Sequence, residues 1–247
     1  MSKMINVKVD GKADTLLAQK YGIAGYPTVI LTNADGTEID RVYGYAPPEE
    51  FIEIINDYLA DRNTLADFLR QADTAITMPL YAKIADKYTG RKMFTKAESY
   101  YRKILQNDPS NKKGYSDSAL YNMGQMKIRA KQITSAMEVF DTFRKTYPES
   151  DLFDDALFAK AYALRRADKF EESIAAFKEF QKIHPESDLI SEAVIYVAYC
   201  NDLAGNKDEA IKYYKDFLTK FPESSEVEWV TGQIDKIENP PQEEENN

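Results

Sequence analysis

The chain has 247 residues, 43% hydrophobic and 30% charged, a balance typical of globular domains rather than of disordered or membrane-embedded chains. Its formal charge of −9 argues against nucleic acid, which needs lysines and arginines clustered on one face, and no run of about twenty apolar residues could span a bilayer. A single cysteine, Cys200, and a single histidine, His184, exclude an internal disulfide, a CxxC motif and a structural zinc site, so neither metal nor cofactor is expected. The opening MSKMINVKVDGK lacks a leader-like apolar stretch. The chain as written is therefore expected in the cytoplasm, and in the periplasm or envelope if its true start lies upstream of Met1.

Residues 5–9 (INVKV) alternate as a strand does, with Ile5, Val7 and Val9 on one face. Residues 12–21 read as a short amphipathic helix carrying Leu16, Leu17 and Tyr21, ended by Gly22. TVILT (28–32) is a β-branched strand, Asn33–Gly36 a tight turn and residues 38–44 the returning strand of a hairpin. Pro47 and Pro48 open a helix with Phe51, Ile54, Ile55, Tyr58 and Leu59 at helical spacing.

This order, with KYGIAGYPTVILTNADG at its centre, resembles the C-terminal portion of the thioredoxin fold over about residues 5–60. The resemblance implies a cis peptide bond at Tyr26–Pro27 and, beside it, backbone that pairs with an extended substrate. The family's CxxC pair follows an earlier strand, at the start of the first long helix. Here no cysteine precedes residue 200, so this chain lacks the thiolate pair that disulfide exchange needs. The expectation is a truncated thioredoxin-like domain at residues 1–60, lacking its first strand and CxxC helix, with Met1 or Met4 as an internal start. The strand missing from its sheet leaves three outcomes: residues 5–9 slide into the vacancy, the gap is filled in trans, or the segment is loosely folded. An incomplete sheet also points to self-association.

Residues 61–77 form a bridging helix, with Leu65, Phe68, Leu69, Ala72 and Ile76 on one face. Beyond them four segments end alike, at Pro109, Pro148, Pro185 and Pro222, spaced 39, 37 and 37 residues apart. Counting back from each proline, small residues recur at Ala97, Ala136, Ser173 and Ala210. Aromatics recur at Tyr101, Phe140, Phe177 and Tyr214, and bulky apolar residues at Ile104, Phe143, Phe180 and Phe217. A further small column is Ala85, Gly124, Ala161 and Ala198. The first three columns make one face of a second helix, the fourth lets a first helix approach it, and the proline ends the unit. Stacking such hairpins supplies the continuous core that no single one can bury.

The columns resemble the tetratricopeptide repeat (TPR) family over residues 78–224, with units at 78–110, 117–149, 154–186 and 191–223. The P-E-S endings also resemble repeats of bacterial envelope proteins of the outer-membrane assembly and Tol–Pal accessory type. Residues 225–238 read as a capping helix placing Trp229, Ile234 and Ile237 over the open end, and residues 239–247 as a disordered acidic tail. The fold class is α+β but mainly α: a TPR-like helical hairpin solenoid of about four repeats plus cap, after a partial thioredoxin-like segment.

In the TPR family the first helix of each unit lines a concave groove. The matching positions are Tyr121, Gln125 and Arg129, then Phe158, Tyr162, Arg165 and Arg166, then Ile195, Tyr199 and Asp202. Rings give contact area and guanidinium groups take carboxylates, which suits an extended peptide. The clamp positions of the chaperone-tail receptors hold Tyr, Phe, Gln and Ile instead. The expected function is a protein–protein interaction scaffold holding a peptide or protein partner, without catalysis by this chain. The alternative is a fragment of a thioredoxin-like disulfide oxidoreductase or redox chaperone whose repeats recruit clients. His184 is expected in solvent at a helix end, and Cys200 buried and inert within an apolar helix.

Overall fold

A computed structural model describes residues 4–23 and 25–240. The chain divides into two compact units, residues 1–119 and 120–247.

The first unit begins with α1 (Thr15–Lys20), β1 (Thr28–Thr32), β2 (Glu38–Tyr43) and α2 (Pro48–Leu59). Asp14 caps α1 by accepting a hydrogen bond from the Leu17 N–H, the exchange that favours Asp at this position. β1 and β2 pair antiparallel, Thr28 opposite Tyr43 and Leu31 opposite Asp40, with an irregularity after Leu31. Gly36 sits at φ +81° in the connecting turn, where a side chain would be strained. One face of α2 lies on the hairpin, burying Ile55 and Tyr58 against Val42 with Leu31, Ile39, Phe51 and Ile54 packed around them.

Residues 5–9 depart from the expected strand. They pair with nothing among the described residues, and Ile5 and Val7 are 88% and 77% exposed. An alternating pattern needs a neighbouring strand to satisfy its backbone and a surface to cover its apolar face, and these residues have neither. The vacancy is thus not filled by residues 5–9. Ile76 and Leu59 are also exposed. For Ile76 the reason is that α3 (Leu65–Thr74) stops at Thr74 and Ala75 turns extended, before Thr77 caps the next helix.

α4 (Met78–Gly90) and α5 (Phe94–Asn107) pack as a helical hairpin, and α3 packs on α4. What ties them to the β-hairpin is Asp40, which is 0% exposed. Its carboxylate accepts from the Leu65 N–H at 2.6 Å, at the head of α3. It also pairs with Lys87 at 2.9 Å and Arg91 at 2.7 Å, at the end of α4. Arg91 reaches Glu38 as well at 2.8 Å, and Glu38 forms a two-point pair with Arg41. Burial raises the Asp40 carboxyl's pKa, but Arg91 and Lys87 more than offset it and hold it below the usual carboxylate value. Burial lowers Lys87, with Asp40 opposing, and pushes Tyr58, which accepts from Lys87 at 2.9 Å, up to about 12.

α6 (Ser116–Arg129) crosses the boundary into the second unit. There follow α7 (Ile133–Thr146), α8 (Phe153–Arg166), α9 (Phe170–Ile183), α10 (Ile190–Leu203), α11 (Lys207–Lys220) and α12 (Val227–Glu238). From α7 onward each helix packs on the next. All four columns of the repeat are buried, from Ala85, Ala161 and Ala198 to Ile104, Phe143, Phe180 and Phe217. A Cβ on Gly124 would meet the Phe140 ring at 2.6 Å, so the small column is a condition of helix approach. Ser173 occupies a small-residue position with a hydroxyl, which donates to the Ala161 carbonyl at 2.8 Å and so avoids the cost of an unpaired buried polar group.

Each second helix ends the same way: the N–H of Asp108, Tyr147, His184 or Phe221, just before the proline, donates to the carbonyl of the bulky apolar residue four positions back. The turn inside each hairpin needs one left-handed residue, supplied by Lys92, Lys131, Asp168 and Gly205. The result is a mainly α, helical hairpin solenoid after a small α/β segment. Residues 241–247 of the acidic tail lie outside the described residues.

Candidate functional site

The expected groove residues fall on α6, α8 and α10, the first helices of their units, and the structure uses them unequally. Tyr121 is half-buried, accepts from the Gln125 amide at 2.8 Å and packs 6.2 Å from the Phe140 ring; burial raises its phenol's pKa. Arg129, at the end of α6, is exposed. Phe158 belongs to the packing rather than to an open surface, because its ring is enclosed by Phe177, Phe180 and Tyr196 at 5.2, 5.7 and 5.8 Å. Ile195 is buried within the core of α10, α11 and α12. Asp202 is engaged by Lys207.

Arg165, Tyr162 and Tyr199 come together. The Arg165 guanidinium lies 4.7 Å from the Tyr162 ring centroid, 5.5 Å from Tyr196 and 5.6 Å from Tyr199, within the range of cation–π attraction. Arg166 is exposed and reaches the Tyr162 hydroxyl at 3.4 Å. Burial raises the Tyr162 phenol's pKa, but Arg166 and Arg165 outweigh it and leave the phenol below its usual value. Beside this cluster α8, α10 and α12 border a cleft of about 560 Å³, lined by Arg165, Ile195, Tyr196, Tyr199 and Trp229 among others.

Two of these residues, Trp229 and Tyr196, are not anticipated as cleft residues by the sequence. Trp229 was expected over the end of the solenoid. Ile234 and Ile237 pack there, but Trp229 stays 40% exposed, its ring 6.2 Å from those of both Tyr199 and Tyr214. Tyr196 sits one turn before Cys200 on α10 and stacks on Phe177 at 5.1 Å. It bridges core and cleft, which a column count centred on the second helices does not register. The available signal was spacing, since Glu192, Tyr196 and Tyr199 share a helical stripe.

Tyr26 and Pro27 are exposed at the end of the β-hairpin, and the bond between them is cis. The Pro27 carbonyl accepts from the Gly44 N–H at 2.9 Å, one step beyond the ladder. Cys200 is fully buried, its thiol 3.5 Å from the Ser173 hydroxyl, and burial raises its pKa. His184, expected in solvent, is half-buried beside Phe153 and Phe180, at 5.9 and 5.6 Å. Among the described residues no group of three or more His, Cys, Asp or Glu side chains could hold a metal, and no helix is long and apolar enough to cross a membrane.

A thioredoxin-like domain model matches residues 3–59, and a tetratricopeptide repeat model matches residues 118–150, 155–187 and 192–224. No curated protein matches. Among solved structures, a tetratricopeptide repeat protein from Parabacteroides merdae is similar in fold with TM-score 0.57 at 13% identity, covering 77% of this chain and 71% of that one. A crystal structure of MamA gives TM-score 0.53 at 16% identity, covering 72% and 96%. A second MamA structure gives 0.50 at 20%, covering 65% and 82%. Residues 118–224 of this chain are thus a tetratricopeptide repeat array, preceded at residues 3–59 by a thioredoxin-like domain.

Proposed function

We propose that the chain is a protein-interaction scaffold whose first helices α8 and α10, closed off by α12, hold an extended peptide segment of a protein partner, and that this chain performs no catalysis. The observation that carries the reading is the cleft bordered by Arg165, Tyr196, Tyr199 and Trp229. Aromatic rings around a guanidinium give a rigid, partly apolar surface with polar edges, the composition that dominates binding energy at protein interfaces. In this reading the helix pair α4–α5 is the first of four repeats, at residues 78–110, and it couples the array to the thioredoxin-like segment through Asp40.

The test is a double substitution, Tyr162→Ala with Arg166→Ala. Arg166 is exposed and Tyr162 is half-buried against Tyr196, so helical content by circular dichroism should hold while co-purification of partners from source cells drops. Unchanged recovery of the same partners would sink the groove. The oxidoreductase alternative finds no second thiol in residues 1–247, and the one thiol present is buried.

Self-association through the thioredoxin-like segment is a second part of the proposal. It is favoured by the exposed Ile5 and Val7 and by β1, which has β2 as its only strand neighbour among the described residues.

A further inference from the structure

The charges around the cleft of α8, α10 and α12 select among peptides. Its lining carries one cation, Arg165, and three carboxylates: Asp188 ahead of α10, Glu192 in its first turn, and Glu226 at the cap of α12. All three carboxylates are exposed, and among the described residues none pairs with a lysine or arginine. Arg165 differs. Three tyrosine rings already face its guanidinium, and what it lacks is narrower: its Nε–H is buried and has no hydrogen-bond partner. Because that atom is buried, it offers no contact that would draw an incoming carboxylate. An incoming carboxylate would also face three fixed negative charges against one positive, and like-charge juxtaposition is costly. An incoming ammonium or guanidinium meets aromatic faces and carboxylates together, a favourable setting for a cation.

We infer that this cleft takes a basic, extended peptide segment, whose lysine or arginine side chains lie between Trp229, Tyr199 and the rim carboxylates. This rests on the groove reading and fixes the chemical class of its occupant. It reverses the expectation from sequence that the arginines take carboxylates: Arg165 is already surrounded by rings, and the carboxylates that outnumber it stand ahead of α10, in its first turn and at the cap of α12, positions the repeat columns do not cover. The chain's net charge of −9 acts in the same direction at long range, favouring encounter with basic partners at low salt.

Trp229 is the only tryptophan of the chain, so its fluorescence reports on the cleft directly. The full-length protein is titrated with acetyl-Lys-Leu-Lys-Ser-Lys-amide and, separately, with acetyl-Glu-Leu-Glu-Ser-Glu-amide, neither of which absorbs with the indole. The expected result is a saturable change with the basic peptide only, weakened as salt shortens the Debye length from about 10 Å at 0.1 M. Glu192→Gln and Glu226→Gln should each weaken binding about twofold to fivefold, the worth of an exposed ion pair. A response to the acidic peptide alone overturns the inference while leaving the groove reading intact. Silence toward both peptides at millimolar concentration overturns it too, and the groove then stands or falls with the Tyr162 and Arg166 substitutions. Binding of the basic peptide that both glutamine variants leave unchanged removes the rim carboxylates from the account and overturns it as well.

Discussion

Asp40 Oδ1 accepts from Arg91 Nη2 at 2.7 Å across 51 positions of sequence, joining a β-strand of the thioredoxin-like segment to the end of α4. Because Asp40 is fully buried, its charge is tolerable only while Arg91, Lys87 and the Leu65 N–H all face it. Asp40→Asn keeps the shape and removes the charge, leaving Lys87 without its carboxylate. The expected loss is about 3 kcal/mol, read as reduced hydrogen-exchange protection of the β2, α3 and α4 amides, with α8–α11 unaffected. Equal protection in the variant would show the pair to be a bystander.

The same carboxylate sets an acid limit. Its pKa is lower in the folded chain than the ordinary 3.8, so the unfolded chain binds the proton more readily. The stabilisation is fully present above the unfolded value and is lost as pH falls through the folded one. Protection of the β2 and α3 amides should therefore decline below about pH 4, and less steeply in Asp40→Asn. Parallel declines in the two proteins would assign the acid sensitivity to other carboxylates.

Gly124→Ala tests the small column. Alanine favours a helix over glycine by about 1 kcal/mol, but here its Cβ would meet the fully buried Phe140 ring at 2.6 Å. Overpacking costs about 1–3 kcal/mol, so the melting temperature should fall. A rise would mean that the ring yields freely.

Lys131→Gly tests the hairpin turn. Lys131 sits at φ +60°, where a side chain other than glycine carries about 1–2 kcal/mol of strain. Glycine there gives back part of that through the entropy of the unfolded chain, leaving a net gain of about 0.5–1 kcal/mol and a higher melting temperature. A lower one would mean that the Lys131 side chain contributes to the fold.

Light scattering tests self-association. Exposed Ile5 and Val7, together with a β1 whose only strand neighbour among the described residues is β2, should give a dimer that dissociates when both are replaced by Lys, since added charge opposes strand pairing. A monomer at all concentrations would remove self-association from the proposal.

What the sequence by itself determined is the part that repeats. Ala136, Phe140 and Phe143 follow from spacing alone, because a helix brings residues three and four apart onto one face and each unit meets the same neighbour. The β-hairpin and α2 were legible for a similar reason: Gly36 and Pro48 are local signals whose conformational demands do not depend on distant residues. Tertiary structure decided the rest. Residues 5–9 carry a strand's alternation but no partner, and pairing is a property of two segments. Nothing in the local pattern marks Asp40, whose burial depends on Lys87 and Arg91 arriving from another element, and Trp229 reads as cap until α8 and α10 leave a cleft beside it. Local pattern fixes which face of a helix is apolar; which charges and rings from separate helices meet there depends on their packing.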